Sequence, residues 1–213
     1  MDRFARTSVM RHPERGAYDR STIFAILDDG FLCHAGFVHE DQPFVIPTLY
    51  CRVGDTLYLH GSPLSRMIGC LGDGIPLCIT VTLLDGIVLA RSAFASSVNY
   101  RSVIVLGQGR AVTDSDEKQR AMQALVEQVV PGRSGDAREP NPRELAATAV
   151  IAVSLDEASA KVRSGPPKDA AADLELSVWA GEVPLHLVMG QPIPDPELAP
   201  AIPVPEYLGR QRQ

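Results

Sequence analysis

Between Phe31 and Val112 the chain is a succession of short β-rich runs divided by glycine, proline and acidic turns, with no room for long helices between them. A doubly wound parallel sheet needs regular strand and helix alternation, so that architecture is disfavoured. Phe31 to Phe37 and Phe44 to Arg52 flank His39-Glu40-Asp41-Gln42-Pro43 and read as a hairpin. Gly54-Asp55 turns into a strand from Thr56 to His60, which Gly61-Ser62-Pro63 ends before a short helix from Leu64 to Leu71. Pro76 to Leu84 and Gly86 to Ala95 lie on either side of Asp85-Gly86, a pair that favours a tight hairpin. Arg101 to Val112 reads as one long curved strand, with Gly107 and Gly109 marking a bulge or the close approach of another backbone.

Helical signals frame this stretch. Asp19 to Asp29 carries Ile23, Ile26 and Leu27 at helical spacing and stops at Gly30. Asp114-Ser115-Asp116-Glu117 sets acids at the start of a periodic run through Ala121, Met122, Leu125, Val126 and Val129, ended by Pro131-Gly132. A short helix around Arg143 to Ala147, a strand from Thr148 to Leu155, a loop from Ser164 to Ala172 and an apolar run from Val183 to Met189 follow. At least six strands joined mostly by tight turns predict a mainly β, α+β fold: an antiparallel, closed or nearly closed barrel with peripheral helices. The domain is expected over 1–190. The end, 191–213, holds six prolines from Pro192 to Pro205 and reads as an extension running over a surface.

Composition narrows the partners. Twenty Lys and Arg stand against 26 Asp and Glu, a net charge of −6, so no basic field invites nucleic acid. The apolar stretch from Ile75 to Leu84 is interrupted by Pro76, Thr80 and Thr82 and is far shorter than the roughly 20 residues a membrane helix requires, so no membrane partner is expected. Met1 to Tyr18 carries Arg3, Arg6, Arg11 and Arg15 without an apolar core, unlike a secretory signal, and the expected address is the cytoplasm. Cys33, Cys51, Cys70 and Cys78 form no C-x-x-C pair and sit in apolar segments, which favours buried thiols over a zinc site or a disulfide framework.

The stretch Tyr58-Leu59-His60-Gly61-Ser62-Pro63-Leu64-Ser65-Arg66 ends a strand at a glycine and places two hydroxyls and a guanidinium at a helix start, a set suited either to phosphate or to an ordinary Ser-capped helix. It lacks the Gly-Lys-Ser/Thr of a Walker loop. A second cluster, Asn99-Tyr100-Arg101-Ser102, opens the long strand. Trp179, the single tryptophan, could plug a barrel end or cover another flat ring.

Pro47-Thr48-Leu49-Tyr50, Leu59-His60-Gly61-Ser62 with Ser65 and Arg66, Tyr100-Arg101-Ser102-Val103 with Gly107, and Trp179-Ala180-Gly181-Glu182-Val183-Pro184-Leu185 follow one another as in the pyridoxamine 5′-phosphate oxidase-like flavin-binding split-barrel family. From His12 to Met189 the chain resembles this family, its nitroimidazole-resistance-type branch above all. The resemblance implies a six-stranded split barrel that forms a homodimer with FMN in each of two interfacial clefts. It implies that Ile46, Pro47, Thr48 and Leu49 line the flavin ring, and that Leu59, His60, Gly61 and Ser62 approach the ribityl chain and phosphate. Ser65 and Arg66 would hold the phosphate, Tyr100, Arg101 and Ser102 would flank the cleft from the partner subunit, and Trp179 would close it. The Arg-x-His pattern of pyridoxamine phosphate oxidase itself has no counterpart in Ile202 to Gln213, so that activity does not transfer. The expected function is an FMN-dependent oxidoreductase reducing a small organic acceptor, with a nicotinamide nucleotide (NADH or NADPH) or another donor supplying the electrons. The alternative is a non-catalytic flavin- or haem-binding module, for which His34, His39 and His60 are the candidate axial ligands.

Overall fold

The computed structural model describes residues 6–199 and 201–209. Its strands are β1 (Gly16–Ala17), β2 (Leu32–His39), β3 (Gln42–Val53), β4 (Thr56–Gly61), β5 (Pro76–Leu89), β6 (Ser97–Gln108), β7 (Arg110–Ala111), β8 (Ala149–Ser154), β9 (Ala158–Arg163) and β10 (Gly181–Pro184). The helices are α1 (Arg20–Asp29), α2 (Arg66–Gly72), α3 (Ser115–Val129) and α4 (Pro142–Ala147). All strand pairs are antiparallel, in the order β1-β9-β6-β5-β2-β3-β4-β8-β7, with β10 added on β5. β6 and β7 are one run of chain bent at Gly109, so the ends of the path from β6 round to β7 meet through the backbone although the ladder itself stays open. Counting β6 and β7 together, six strands make a split barrel, as the sequence predicts.

Gly109 shows why this bend is specific. A Cβ there would lie 2.4 Å from the Leu71 carbonyl oxygen and 2.7 Å from Ile151 Cγ2, so β6–β7 can pass over α2 and β8 only without a side chain. Inside the barrel, alternate residues such as Cys33, Ala35, Tyr50, Leu57, Leu59, Ile79, Val81, Val103, Val105 and Val153 are fully buried. α1 adds Ile23, Ile26 and Leu27 to this core. Asp19 caps that helix by accepting from Thr22 N–H at 2.8 Å, and Gln128 of α3 covers its far end by donating to the carbonyls of Leu27, Asp28 and Gly30. α3 covers the outer face of β3, β4 and β8, with Ala121 and Leu125 on Cys51, Tyr58, Val150 and Ala152.

The structure departs from the sequence reading at three elements. Asp85-Gly86 is not a turn: β5 runs through it, and the pairing with β6 shifts register between Leu84 and Gly86, a bulge that leaves Asp85 unpaired. The long strand accordingly begins at Ser97 rather than Arg101. β9 is an addition, its Ala-Ser-Ala-Lys-Val-Arg sequence being weak in β-branched residues; its small Ala158 and Ala160 face the core beside β6. α2 starts at Arg66, two residues late, because Ser62 to Ser65 closes a turn of its own through a 2.9 Å bond from Ser65 N–H to Ser62 C=O. The described part of the Pro-rich end is mostly extended and is pinned where Tyr207 packs on Gly132 and accepts from Arg133 at 3.2 Å, with one helical turn at Glu206–Gly209.

Candidate functional site

The split lies along β3. From Gln42 to Leu49 this strand pairs with β2 on one edge, and only from Tyr50 to Val53 does it pair with β4 on the other. Among the described residues, the second edge of Gln42 to Leu49 therefore carries no ladder, so alternate backbone groups between Ile46 and Leu49 point away from β2; Pro47 has no N–H to offer there, and the Leu49 carbonyl accepts from the Thr48 hydroxyl at 3.5 Å. The end of β4 and the start of α2 face this gap. Leu59 points inward and is fully buried, while Gly61 lies against Ile68, whose Cγ1 would be 2.9 Å from an added Cβ.

Arg66 closes one side. Its guanidinium lies 4.8 Å from the centroid of the Phe44 ring of β3, and Phe44 in turn stacks on Phe37 of β2 at 5.6 Å. Among the described residues no carboxylate pairs with Arg66, so its charge is uncompensated. Ser65 stands at the N-cap position of α2 yet makes no capping bond with its side chain, and the Ser62 hydroxyl accepts from Leu64 N–H at 3.2 Å. One cation, a spare hydroxyl and an open strand edge thus gather within a single local segment of the fold, and this set is chemically suited to an anion carried by a flat apolar group. Phe44 was not among the sequence candidates; its place two residues before Ile46, on the same strand face, is the signal that marks it.

His60 is placed differently from Leu59. It alternates with Leu57 and Leu59, so it projects to the outer face with Tyr58, and continuing the Tyr50–Leu59 register sets it beside Leu49. Its Nδ1 is buried without a hydrogen-bond partner among the described residues, and burial pushes its pKa below the usual imidazole value, disfavouring the charged ring. His34 is on the same outer face of β2, paired with Pro47 of β3, and is exposed. His39 is occupied elsewhere, 3.4 Å from Cys70 Sγ.

The second set of candidates does not join the first within one chain. Tyr100, Arg101 and Ser102 lie on β6, three ladders from β3, a separation of about 14 Å at the usual strand spacing. Arg101 is held by two carboxylates: its Nε and Nη2 donate to Asp85 at 3.1 and 2.8 Å, and its Nη1 donates to Asp29 at 2.6 Å. The Asp85 hydrogen bonds, with those of Asp29, raise its pKa further above the usual guanidinium range. The bulge at Asp85 has this ion pair as its local reason. Ser102 donates to the Lys161 carbonyl at 3.3 Å. Trp179 is 65% exposed, lies flat over Gly181 at the start of β10 and plugs no barrel end. The cysteines carry no disulfide, and no cluster of three or more His, Cys, Asp or Glu residues suited to a metal ion occurs among the described residues.

Comparison with known proteins adds an independent line. The profile of the pyridoxamine 5′-phosphate oxidase family matches residues 19–162. Among solved structures, the flavocytochrome Anf3 from Azotobacter vinelandii is similar at 40% identity and a TM-score of 0.89, covering 95% of this chain and 94% of its own. An FAD- and haem-binding protein from Mycobacterium smegmatis is similar at 34% identity and a TM-score of 0.89, covering 93% and 99%. A candidate 5-nitroimidazole antibiotic resistance protein from Bacteroides thetaiotaomicron matches at 25% identity and a TM-score of 0.58, covering 69% of this chain and 86% of its own. No curated protein matches.

Proposed function

Because this chain belongs to the pyridoxamine 5′-phosphate oxidase family, we propose that it is a flavin-binding redox protein that carries haem as well and works as a homodimer. The observation that carries the flavin reading is the unpaired edge of β3 from Gln42 to Leu49 beside a guanidinium, Arg66, that has no carboxylate partner among the described residues. Flavin, when bound, supplies hydride and electron transfer through its ring, so the protein needs little acid and base machinery of its own. The open backbone groups of Ile46 to Leu49 would hold the polar rim of the ring and keep water from it. Ser65 and Arg66 would take the phosphate, for which Phe44 holds the guanidinium ready. Tyr100, Ser102 and Trp179 would reach that cleft only from a second copy, since their own chain keeps them strands away.

The haem half of the reading is supported by length of likeness. The flavocytochrome and the FAD- and haem-binding protein follow almost the whole chain, whereas the nitroimidazole-resistance relative covers only 69% of it. His60 would suit a haem iron: burial holds its imidazole below the usual pKa, and its buried Nδ1 has no hydrogen-bond partner among the described residues. The second of these relatives, an FAD- and haem-binding protein, favours FAD over the FMN that the family resemblance suggests. Both nucleotides present a phosphate to Arg66, so the pocket chemistry is shared.

The test is reconstitution. The purified protein is incubated separately with FMN, FAD and hemin, desalted, and its absorbance read before and after anaerobic addition of NADH or NADPH. Retention of FAD and a Soret band with hemin, and bleaching of the flavin by a nucleotide, is the expected result. Failure to retain either flavin would overturn the assignment, and retained flavin that neither nucleotide reduces would remove nicotinamide as the donor.

A further inference from the structure

The turn between β2 and β3 meets α2 at three groups for which the flavin and haem reading has no use. Cys70 Sγ of α2 lies 3.4 Å from His39 Nδ1, and His39 Nε2 lies 3.9 Å from the Glu40 carboxylate. Glu40 and Asp41 both adopt left-handed backbone, with φ of 51° and 60°, which is unusual at two successive non-glycine residues and holds His39 at the end of its strand against the helix. Thiol, imidazole and carboxylate stand in the order found around activated sulfur nucleophiles, with the imidazole nitrogen placed to take the thiol proton and the carboxylate on the far side of the ring. The other charged groups on the packed elements are Asp41 in the turn, Asp73 and Arg66 at the two ends of α2, and Arg110 of β7, which is paired with Glu117 at 2.6 Å.

The remaining cysteines provide the contrast within the same molecule. Cys33 and Cys51 are fully buried, neither thiol hydrogen-bonds an imidazole among the described residues, and burial pushes both thiols up to about 12. Cys78 is half-buried, and its thiol has the Thr80 hydroxyl at 3.9 Å. Cys70 is 8% exposed, and the His39 side chain, 40% exposed, connects it to solvent.

We propose that Cys70 is the reactive thiol of this protein, a modification site for soft electrophiles, with His39 as the base that generates its thiolate. With iodoacetamide, the S–C bond forms as the C–I bond breaks, iodide leaves with the electron pair, and the thiol proton passes to His39 Nδ1 and from the exposed ring to water. No oxidant or second reactant takes part. The proposal does not depend on the flavin reading, although Cys70 lies one helical turn from Arg66 on α2.

Limiting iodoacetamide on the intact protein near pH 7, followed by mass spectrometry of the cysteine peptides, tests this directly. Cys70 is expected to be alkylated roughly tenfold faster than Cys78, whose thiol has a hydroxyl rather than an imidazole at hydrogen-bonding range. Cys33 and Cys51 should stay unmodified, which reports in the same sample that the protein is folded. His39→Asn should remove the advantage of Cys70 and leave the Cys78 rate unchanged; Glu40→Gln, a milder change on the exposed turn, should reduce it. Reaction of Cys70 no faster than Cys78, or an undiminished rate in folded His39→Asn protein, would overturn the assignment.

Discussion

Two side chains whose partners are missing carry most of the functional reading. Arg66 has an aromatic ring and, among the described residues, no carboxylate, whereas Arg101, which in sequence looks like an equal candidate, is clamped by Asp85 and Asp29. Replacing Arg66 by Ala should weaken flavin binding by about 1.5–3 kcal/mol, roughly 10- to 150-fold in Kd, with little change in thermal stability. Fluorescence-monitored flavin titration measures it, and an unchanged Kd would take Arg66 out of the site. His60→Ala should abolish the Soret band on hemin addition while leaving flavin retention in place. Because burial lowers the His60 pKa, the unfolded chain binds its proton first as the pH falls, so His60 contributes stability that is lost below about pH 6.5. The acid arm has a second origin in Asp19 and Glu144, each held down to about 2, by the Ser21 hydroxyl and Thr22 N–H for the first and by Arg138 and Asn141 N–H for the second. Their contribution is complete above the ordinary carboxylate range and disappears as pH falls toward 2; a pH series of urea midpoints follows both.

At the scale of elements, the close crossing of β6–β7 over α2 and β8 shapes the barrel around the split. Gly109→Ala should cost about 1–3 kcal/mol through overpacking against the Leu71 carbonyl and Ile151, read as a lower urea midpoint. Most of this architecture was legible in the chain: α1 and α3 in their periodicity and acidic starts, β2 to β4 in their turns, the close approach at Gly109 in the glycine itself. The misread elements have physical causes. Asp85-Gly86 carries a hairpin's local chemistry, but the long-range pull of Arg101 on the Asp85 carboxylate makes it a bulge. Ala158 to Arg163 has little intrinsic preference for a strand and takes that form because β6 offers an edge to pair with. The site divides in the same manner. His60 to Arg66 are contiguous and could be read from local order, whereas the Arg66–Phe44 contact and the unpaired edge of β3 arise only when distant segments meet.

At the scale of the molecule, one chain leaves an apolar outer face uncovered. Val38, Val45, Leu84 and Ile104, on β2, β3, β5 and β6, are between 41% and 68% exposed, which is more than scattered surface residues account for. A second copy covering this face would also supply the β6 and Trp179 groups that one chain cannot bring to the cleft. Light scattering after size exclusion should give twice the chain mass, and Val45→Asp should halve it without unfolding the barrel; a monomeric wild type would contradict the dimer. Where the flavin sits decides between this cleft and any other. The most direct measurement is a crystal structure of the protein saturated with FAD. It should show the ring against Ile46 to Leu49 and a phosphate against Ser65 and Arg66, whereas flavin bound away from the open edge of β3, or phosphate held by other residues, would contradict it.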